Sequence, residues 1–497
     1  MIPPIHLYNS LTKKKALLKP IRPGELTLYV CGITVYDYCH IGHARVLLVF
    51  DMLVRFLVQC GYKVTYIRNI TDVDDKIIQR AIENKKADES LKTAVSQLTR
   101  QFIQAMNEDC AQLGVERPTQ EPKATECIDE MCGLIQRLMD QGVAYQGNDG
   151  KGDVYFDVNK FATYGALSHR KLADLQAGSR IEIDPHKQNP LDFVLWKQAK
   201  PIDAVHWDSA WGPGRPGWHI ECSAMSLDAL KKLNRGATLD IHGGGNDLKF
   251  PHHENERAQS EAATGQKFVN TWMHVGFVQI NQEKMSKSLK NFLTIRDCLK
   301  DYHPEVLRTI MLSNHYRSPV DYSDEAMASA FAGLERLYRA LIAGAGAGGP
   351  ESEGSNLHKQ AEGYQKKFND AMADDLNTPV ALSLLFEMAK EINKLTSESK
   401  SAGGLAKKLK ELGSILGLLQ TDPQAFLEEP RNKAQRLKAF GGEQVANVGF
   451  KAQDKAAIEA LIQEREQARK DKNFAKADEV RDRLLRDYGF IVTDKKL

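Results

Sequence analysis

Two short sequences carry residue types suited to binding a nucleotide phosphate. The first, His40-Ile-Gly-His43, follows the apolar stretch Leu26–Val30, predicted to be a strand, and opens a helix predicted over Ile41–Gln59. Ligands of open parallel sheets bind at the carboxyl ends of strands, where helix N-termini direct N–H groups at anions. Two imidazoles beside a glycine, Gly42, can then stabilise charge developing on a phosphate. Taken alone, the pattern fits a structural histidine pair equally well.

The second sequence, Lys284-Met-Ser-Lys-Ser288, follows the apolar stretch Val275–Ile280. Two lysines and two hydroxyl groups suit a clamp for triphosphate oxygens. A basic surface loop is the simpler interpretation of the same residues.

A third group of residues has the chemistry of metal ligands. Zinc takes four ligands from thiolates, imidazoles and carboxylates, and Cys31, Cys222 and the run Pro251-His-His-Glu-Asn-Glu256 offer all three. On a helix, His252 and Glu256 stand at i and i+4 and can face one ion, whereas His253 and Glu254 are expected to point elsewhere. Scattered cysteines are usually inert core residues, so spacing alone leaves a metal site open.

Composition excludes several classes of protein. The 497 residues suffice for roughly two to five domains, and 42% hydrophobic with 27% charged residues is an ordinary globular mixture, neither disordered nor collagenous. The net charge is only +2, so nucleic-acid contact must come from local patches. No apolar run approaches the roughly 20 residues of a membrane helix, and no signal-peptide pattern opens the chain. We therefore expect a soluble, cytoplasmic protein without a membrane partner, its eight cysteines reduced.

The elements that must position these residues alternate along the first part of the chain. Leu26–Val30, helix Ile41–Gln59 and strand Lys63–Arg68 form a βαβ unit, which predicts a doubly wound parallel sheet. Further helices are predicted over 88–113 and 124–141, an insertion with a small β element over about 145–200, and nearly all helix from 326 onward, interrupted by a Gly-rich break at 344–355.

In their order along the chain, the two phosphate-binding sequences resemble those of class I aminoacyl-tRNA synthetases. The resemblance implies a Rossmann-type catalytic domain that binds ATP with Mg²⁺ and activates an amino acid as its adenylate. The catalytic residues would be His40, His43, Lys284 and Lys287. Contacts with ATP would come from His40, Gly42, His43, Gly244 and Lys287.

Longer runs narrow the resemblance to the cysteinyl-tRNA synthetase family, over nearly the whole chain. They are Cys31–His43, Arg68–Lys76, Gly214–Met225, His242–Glu256 and Asp374–Pro379. The resemblance implies that one zinc ion per chain is held by Cys31, Cys222, His252 and Glu256. A zinc ion that binds the substrate thiol as a thiolate would separate cysteine from serine, which shape alone does poorly.

Four further residues match family positions near the bound cysteine, namely Gly32, Thr71, Trp218 and Asp247. Asp247 is the position expected to hold the ammonium group. Structural alternatives exist for three of them. Thr71 can cap the following helix, Trp218 can belong to the core, and Asp247 can end a turn.

The predicted architecture is an α/β Rossmann-type parallel-sheet catalytic domain with a small inserted domain, followed by a helical bundle and a small anticodon-binding domain. The predicted limits are 1–143 and 206–280 for the catalytic halves, 144–205 for the insertion, 281–325 for the lysine-loop and stem-contact region, 326–425 for the bundle and 426–497 for the C-terminal domain.

The predicted function is ligation of cysteine to tRNA-Cys, with ATP, by a monomer. One alternative keeps the fold but joins cysteine to a small-molecule amine. The two amphipathic stretches after the bundle, in about 454–497, favour tRNA over that acceptor. A second alternative is a zinc-dependent RNA-binding protein without catalysis, which would have no use for a nucleotide clamp.

Overall fold

A computed structural model of the chain describes residues 4–147, 152–171, 186–199, 205–284, 292–346, 356–439, 460–465, 467–469, 471, 473, 476–477, 479–480 and 483–484. Its strands are β1 (His6–Asn9), β2 (Lys14–Leu17), β3 (Glu25–Thr34), β4 (Lys63–Thr71), β5 (Ala144–Gln146), β6 (Val154–Phe156), β7 (Phe193–Gln198), β8 (Gly214–Pro216), β9 (Leu239–Gly245), β10 (Val269–Val275), β11 (Val278–Ile280), β12 (Glu283–Lys284) and β13 (Val320–Tyr322).

The α-helices of the described residues are α1 (Ile41–Gln59), α2 (Asp75–Asn84), α3 (Leu91–Gln112), α4 (Ile128–Asp140), α5 (Trp218–Lys232), α6 (Glu254–Thr264), α7 (Ile295–Asp301), α8 (Pro304–Ser313), α9 (Asp324–Ala345), α10 (Asn356–Ala373), α11 (Thr378–Ser397), α12 (Gly403–Ile415), α13 (Pro423–Glu428) and α14 (Pro430–Ala439). A wider turn of π type, Lys249–His253, precedes α6.

The central sheet is parallel throughout, in the order β10-β9-β3-β4, which confirms the predicted fold class. Helix α1 has the predicted bounds, since His40 caps its first turn and its apolar side chains are buried between the sheet and α8. Both predicted strands are longer than expected. Strand β3 continues to Thr34, so Cys31 lies inside the strand and not at its end.

Other elements differ from the sequence prediction. The helix predicted over 124–141 is interrupted at Cys127, between a 3₁₀ turn and α4. The hairpin of β1 and β2, which packs against β10, was not predicted.

The insertion contains an antiparallel sheet in the order β5-β6-β7-β8. Its last strand, β8, lies beyond residue 205 and leads through Gly217 directly into α5. The insertion is therefore joined covalently to the helix that carries Cys222. The domain limits themselves stay predictions.

The C-terminal part is helical as predicted, with α9, α10, α11 and α12 packed against one another and α9 against α8. Most of the Gly-rich break, residues 347–355, lies outside the described residues, as does much of the second amphipathic stretch. All eight cysteines are free. Among the described helices, none is long and apolar enough to cross a bilayer.

Candidate metal centre and active site

Four buried side chains from separate parts of the chain meet beside the central sheet. Cys31 comes from β3, Cys222 from α5, His252 from the π-type turn and Glu256 from α6, and their ligand atoms lie within 4.8 Å of one another. The Cys31 Sγ atom is 3.8 Å from Cys222 Sγ and 3.3 Å from Glu256 Oε1, which is 3.1 Å from His252 Nε2. Two sulfurs, one imidazole and one carboxylate form a donor set that could hold a metal ion.

One of the two side chains predicted to point away does not do so. His253 lies three residues before Glu256, a spacing that places two side chains on the same face of a helix. Its Nε2 lies 3.9 Å from Glu256 Oε1, and it forms an overlapping candidate ligand set with Cys31, His242 and Glu256. Glu254 does face away, accepting hydrogen bonds from the amides of Leu167 and Ser168.

Two histidines that the sequence analysis missed hold the candidate ligands in place. The Nε2 atom of His242 lies 2.8 Å from Glu256 Oε2, and Nδ1 of His219 lies 2.9 Å from Nδ1 of His252. With Nδ1 engaged, His252 directs Nε2 toward the centre of the cluster. Metal-binding side chains are commonly oriented in this way by an outer layer of partners. A signal was present, because His219 and His242 both lie in the runs that carry the family resemblance.

A further histidine pair extends from the cluster toward the β1–β2 hairpin. Nδ1 of His253 lies 2.9 Å from Nε2 of His274, whose Nδ1 lies 2.8 Å from the Ser10 hydroxyl. The opposite nitrogen of His253, Nε2, is buried and has no hydrogen-bond partner in the described residues. An unsatisfied donor or acceptor at this depth is costly, and it is one observation that fits a group bound in the cluster.

The protonation states of the cluster follow from its burial. Burial raises the pKa of Cys31 well above its usual value. The neighbouring Cys31 thiol lowers the pKa of Cys222, but burial and the Glu256 charge raise it overall. Burial also lowers the pKa of His252 to about 3. For Glu256, burial favours the neutral acid, but His242 and His252 outweigh it and lower the pKa. A bound cation would deprotonate the thiols and thereby reverse the first two shifts.

The histidines predicted to contact ATP open helix α1. The His43 amide donates to Nδ1 of His40 at 3.3 Å, and the His40 amide donates to Nδ1 of His43 at 3.2 Å. The rings stack with their centres 3.6 Å apart. Because both Nδ1 atoms accept, each neutral ring carries its proton on Nε2. Burial and His40 hold the pKa of His43 well below its usual value, so its ring carries an N–H group and no net charge near neutral pH.

Three glycines are packed tightly against other parts of the chain. A Cβ on Gly244 would lie 2.9 Å from Cε1 of His253, and one on Gly243 would overlap the ring of Phe50. Gly32 donates its N–H to Asn69 Oδ1 at 2.8 Å, and a Cβ there would overlap the Asn69 carbonyl oxygen. Gly42 lies in the first turn of α1. Packing inside the chain therefore already requires Gly32, Gly243 and Gly244, apart from any ligand.

The structure places the other predicted substrate residues in different settings. Trp218 begins α5, is 40% exposed, and its ring lies 4.3 Å from that of His252, one of the candidate metal ligands. Thr71 is buried at the end of β4, where its hydroxyl accepts a hydrogen bond from Asn69 Nδ2. It does not cap α2, whose cap is Asp74. Asp247 is exposed just after β9, with its carboxylate folded over Gly245.

The lysine-rich sequence is largely outside the described residues. The backbone of Lys284 ends β12, and Lys287 is not described. Beyond the lysines, from residue 292 on, the chain is described again. The Phe292 ring lies 5.2 Å from that of His40, and the Leu293 carbonyl accepts a hydrogen bond from the Ile41 amide at 3.1 Å. The residues that follow the lysines in the chain are thus packed against the start of α1.

The fold is that of a class I tRNA synthetase. The family model described as tRNA synthetases class I (C) catalytic domain matches residues 17–332. A DALR domain model matches residues 367–420, and a model of the Cysteinyl-tRNA ligase anticodon binding domain matches 455–497. The resemblance found in the sequence is thereby confirmed at the level of the class.

The chain belongs to the cysteine–tRNA ligase family. It is 53% identical over 491 residues to a curated Cysteine–tRNA ligase of Thioalkalivibrio sulfidiphilus, covering 99% of this chain and 98% of that protein. It is 50% identical over 491 residues to that of Methylococcus capsulatus, with the same coverage. Nothing in these comparisons supports the alternative of a small-molecule acceptor.

The similarity of this chain to solved structures concerns the fold alone. Methionyl-tRNA synthetase of Mycobacterium tuberculosis, in complex with methionyl-adenylate, has a TM-score of 0.58 at 14% identity, covering 83% of this chain and 90% of that one. A putative arginyl-tRNA synthetase of Campylobacter jejuni has a TM-score of 0.53 at 15% identity, covering 82% and 95%.

Proposed function

We propose that this chain is a cysteine–tRNA ligase that forms cysteinyl-adenylate from cysteine and ATP and then transfers cysteine to the terminal adenosine of tRNA-Cys. The observation that supports this most strongly is the buried set of Cys31, Cys222, His252 and Glu256 in a class I synthetase fold. A class I synthetase fold explains the binding of ATP. The two thiols among the candidate metal ligands explain the selection of cysteine as the amino acid.

Zinc fits this donor set because two thiolates, one imidazole and one carboxylate are its usual ligands in protein sites. When bound, zinc would hold the substrate thiol in its deprotonated form, which the harder and less acidic serine hydroxyl does not match. His219 and His242 keep the ligands His252 and Glu256 turned inward, and the Trp218 ring lies against that of His252.

In the first step, a carboxylate oxygen of cysteine attacks the α-phosphorus of ATP, and the bond to pyrophosphate breaks. The N–H groups at the start of α1 and the Nε2–H groups of His40 and His43 stabilise the charge that develops on the phosphate. Lys284 and Lys287 add positive charge, and Mg²⁺ bound with ATP offsets the triphosphate. Gly42 and Gly244 allow the nucleotide to approach the backbone.

Other residues hold the ammonium group and the side chain of the substrate cysteine while its carboxylate reacts with ATP. Gly32 on β3 and Thr71 at the end of β4 contact the bound cysteine, and Asp247 provides a carboxylate for its ammonium group. In the second step, a ribose hydroxyl of the tRNA attacks the carbonyl of the adenylate, and AMP leaves. The helical bundle at 326–425 and the C-terminal domain at 426–497 bind the tRNA, and the enzyme acts as a cytoplasmic monomer.

Transfer of labelled cysteine to unfractionated tRNA, with ATP and Mg²⁺, tests the function, with labelled serine in parallel. We expect charging with cysteine and none with serine, and loss of charging in a Lys287→Ala variant that still binds tRNA. Cysteine-dependent exchange of pyrophosphate into ATP without charging would overturn the tRNA acceptor. Absence of both activities would overturn catalysis and leave an RNA-binding protein.

Elemental analysis tests the ligand set separately. We expect one zinc per chain in the unmodified protein and its loss in a Cys222→Ser variant. Cys60→Ser provides the matched control, because Cys60 is half-buried at the end of α1, away from the candidate ligands. Stoichiometric zinc in the Cys222→Ser protein would refute the assignment.

A further inference from the structure

Helix α7 is attached to the turn that carries His40. The Ile295 amide donates to the Cys39 carbonyl at 2.8 Å, and the Ile41 amide donates to the Leu293 carbonyl at 3.1 Å. These two backbone hydrogen bonds enclose His40 on both sides. A displacement of the N-terminal end of α7 therefore acts directly on the first turn of α1.

Arg296, in the first turn of α7, strengthens this attachment. Its Nε atom lies 2.8 Å from Asp109 Oδ1 on α3, and its Nη2 donates to the Ala105 carbonyl at 3.1 Å. Its guanidinium also lies 5.1 Å from the centre of the Tyr38 ring. The carboxyl group of Asp109 is fully buried, and the Arg296 side chain is 32% exposed. Arg296 thus contacts both α3 and the Tyr38–His40 turn from the N-terminal end of α7.

The opposite end of α7 is held by α14, more than 120 residues later in the chain. Nη1 of Arg431 donates to the carbonyls of Leu299 at 2.8 Å and Tyr302 at 3.4 Å, and Nε2 of Gln435 donates to that of Asp301 at 3.0 Å. The last carbonyls of a helix lack partners within it, and a positive charge there is favourable. Because α7 has only seven residues, its position depends on such external contacts.

The buried side of α14 is polar, unlike an ordinary core helix. Asn432, Gln435 and Arg436 are 0%, 5% and 5% exposed. Nδ2 of Asn432 donates to the Phe426 carbonyl at 2.7 Å, and Nε of Arg436 lies 3.2 Å from Glu335 Oε1. Because a buried polar or charged group that loses its partner stays unsatisfied, these contacts favour one position of α14 against its neighbours. In the chain, α14 leads to residues 455–497, the region that matches the anticodon-binding model.

We propose that Arg431 and Gln435 are positioning residues for adenylate formation. Through α7 they set the place of the His40 turn and thereby the affinity for ATP. This inference rests on the proposed function for its catalytic consequence. Its structural part, the coupling of α14 to the His40 turn, can be tested independently.

Cysteine-dependent pyrophosphate exchange without tRNA tests the catalytic consequence. In an Arg431→Met/Gln435→Met variant we expect the KM for ATP to rise about fivefold, the factor that corresponds to the net loss of one hydrogen bond, with the KM for cysteine unchanged. Lys433→Met is the matched control, because Lys433 lies exposed on the same helix. Arg431→Lys, which keeps the charge and one donor, should recover part of the affinity. An unchanged KM for ATP in the double variant, as expected of a purely structural helix, would overturn the proposal.

Amide hydrogen exchange, which requires no activity, tests the coupling. In the double variant we expect faster exchange in peptides covering residues 38–44 and 292–300, and no change in Lys433→Met. Faster exchange confined to α14 and the last turn of α7 would refute the coupling. If residues 38–44 respond but the unmodified protein shows no pyrophosphate exchange, the coupling stands and the proposed function fails.

Discussion

The imidazole of His242 holds Oε2 of Glu256 at 2.8 Å and leaves Oε1 facing Cys31 and His252. Oε2 of Glu256 thus contacts His242, and Oε1 faces the candidate metal position. Neither side chain is accessible to solvent. The orientation of Glu256 therefore depends on a partner 14 residues earlier in the chain, on strand β9.

Replacement of His242 should weaken metal binding without removing any of the four proposed ligands, Cys31, Cys222, His252 and Glu256. In a His242→Leu variant we expect the affinity for zinc to fall about ten- to a hundredfold, because Glu256 loses the contact that orients it. Competition with a coloured chelator measures the affinity. His358→Leu, on the exposed side of α10, serves as the control. Equal zinc affinities of the two variants would contradict the role of His242.

Gly32 and Gly133 should respond oppositely to replacement by alanine. A Cβ on Gly32 overlaps the carbonyl oxygen of Asn69, which is backbone and cannot rotate away. We expect Gly32→Ala to lower the free energy of unfolding by about 2 kcal/mol or more. Gly133 lies exposed in α4 with open space around it, so Gly133→Ala should add about 0.5–1 kcal/mol. Thermal unfolding of both variants checks the contrast, which equal shifts in Tm would refute.

The ion pair between Asp51 and Arg308 joins α1 to α8 in the interior. Asp51 Oδ2 lies 2.6 Å from Arg308 Nη1, and both side chains are 1% exposed. Asp51→Asn would leave the arginine buried without its counter-charge, so we expect a loss of about 3–5 kcal/mol in unfolding free energy. The pair of Lys366 and Asp370 on α10 is highly exposed, and Asp370→Asn should have nearly no effect. Denaturant unfolding of the two variants measures the difference.

His303 should contribute to the loss of stability in acid. Burial, with a smaller effect of Arg431, lowers the pKa of His303 to about 4, below the value near 6.5 expected in the unfolded chain. As pH falls from 6.5 to 4, the unfolded chain takes up a proton that the folded one does not, so stability decreases over this window.

A His303→Asn variant isolates this effect, because asparagine can replace Nδ1 as acceptor of the Glu305 amide at the start of α8. Between about pH 7 and pH 4.5, we expect the variant to lose less stability than the unmodified protein, by at most about 3 kcal/mol. Thermal unfolding at the two pH values provides the comparison. Parallel losses in both proteins would show that His303 is not responsible.

Local patterns in the sequence were sufficient for the elements around the site. Helix α1 has the predicted bounds because its cap at His40 and its continuous apolar composition are local features. The parallel sheet followed from the βαβ alternation. The residues Cys31, Cys222, His252 and Glu256 could be named from the family resemblance, since each lies in a run of matching residues. Their ligand atoms do come within 4.8 Å of one another, although their role as ligands stays a proposal.

Only the tertiary structure determined which side chains of different helices and strands contact one another. His253 was predicted to point away from the ligands, yet the fold places it between Glu256 on α6 and His274 on β10. His219, His242 and His274 look like isolated histidines in the sequence, yet the fold places each beside another imidazole or a carboxylate. The contact of Arg431 with α7 likewise has no local signature. Periodicity and capping act over a few residues. These contacts join side chains that lie far apart in the sequence, in one case by more than 100 residues. Only the packing of the whole chain sets the distance between such side chains.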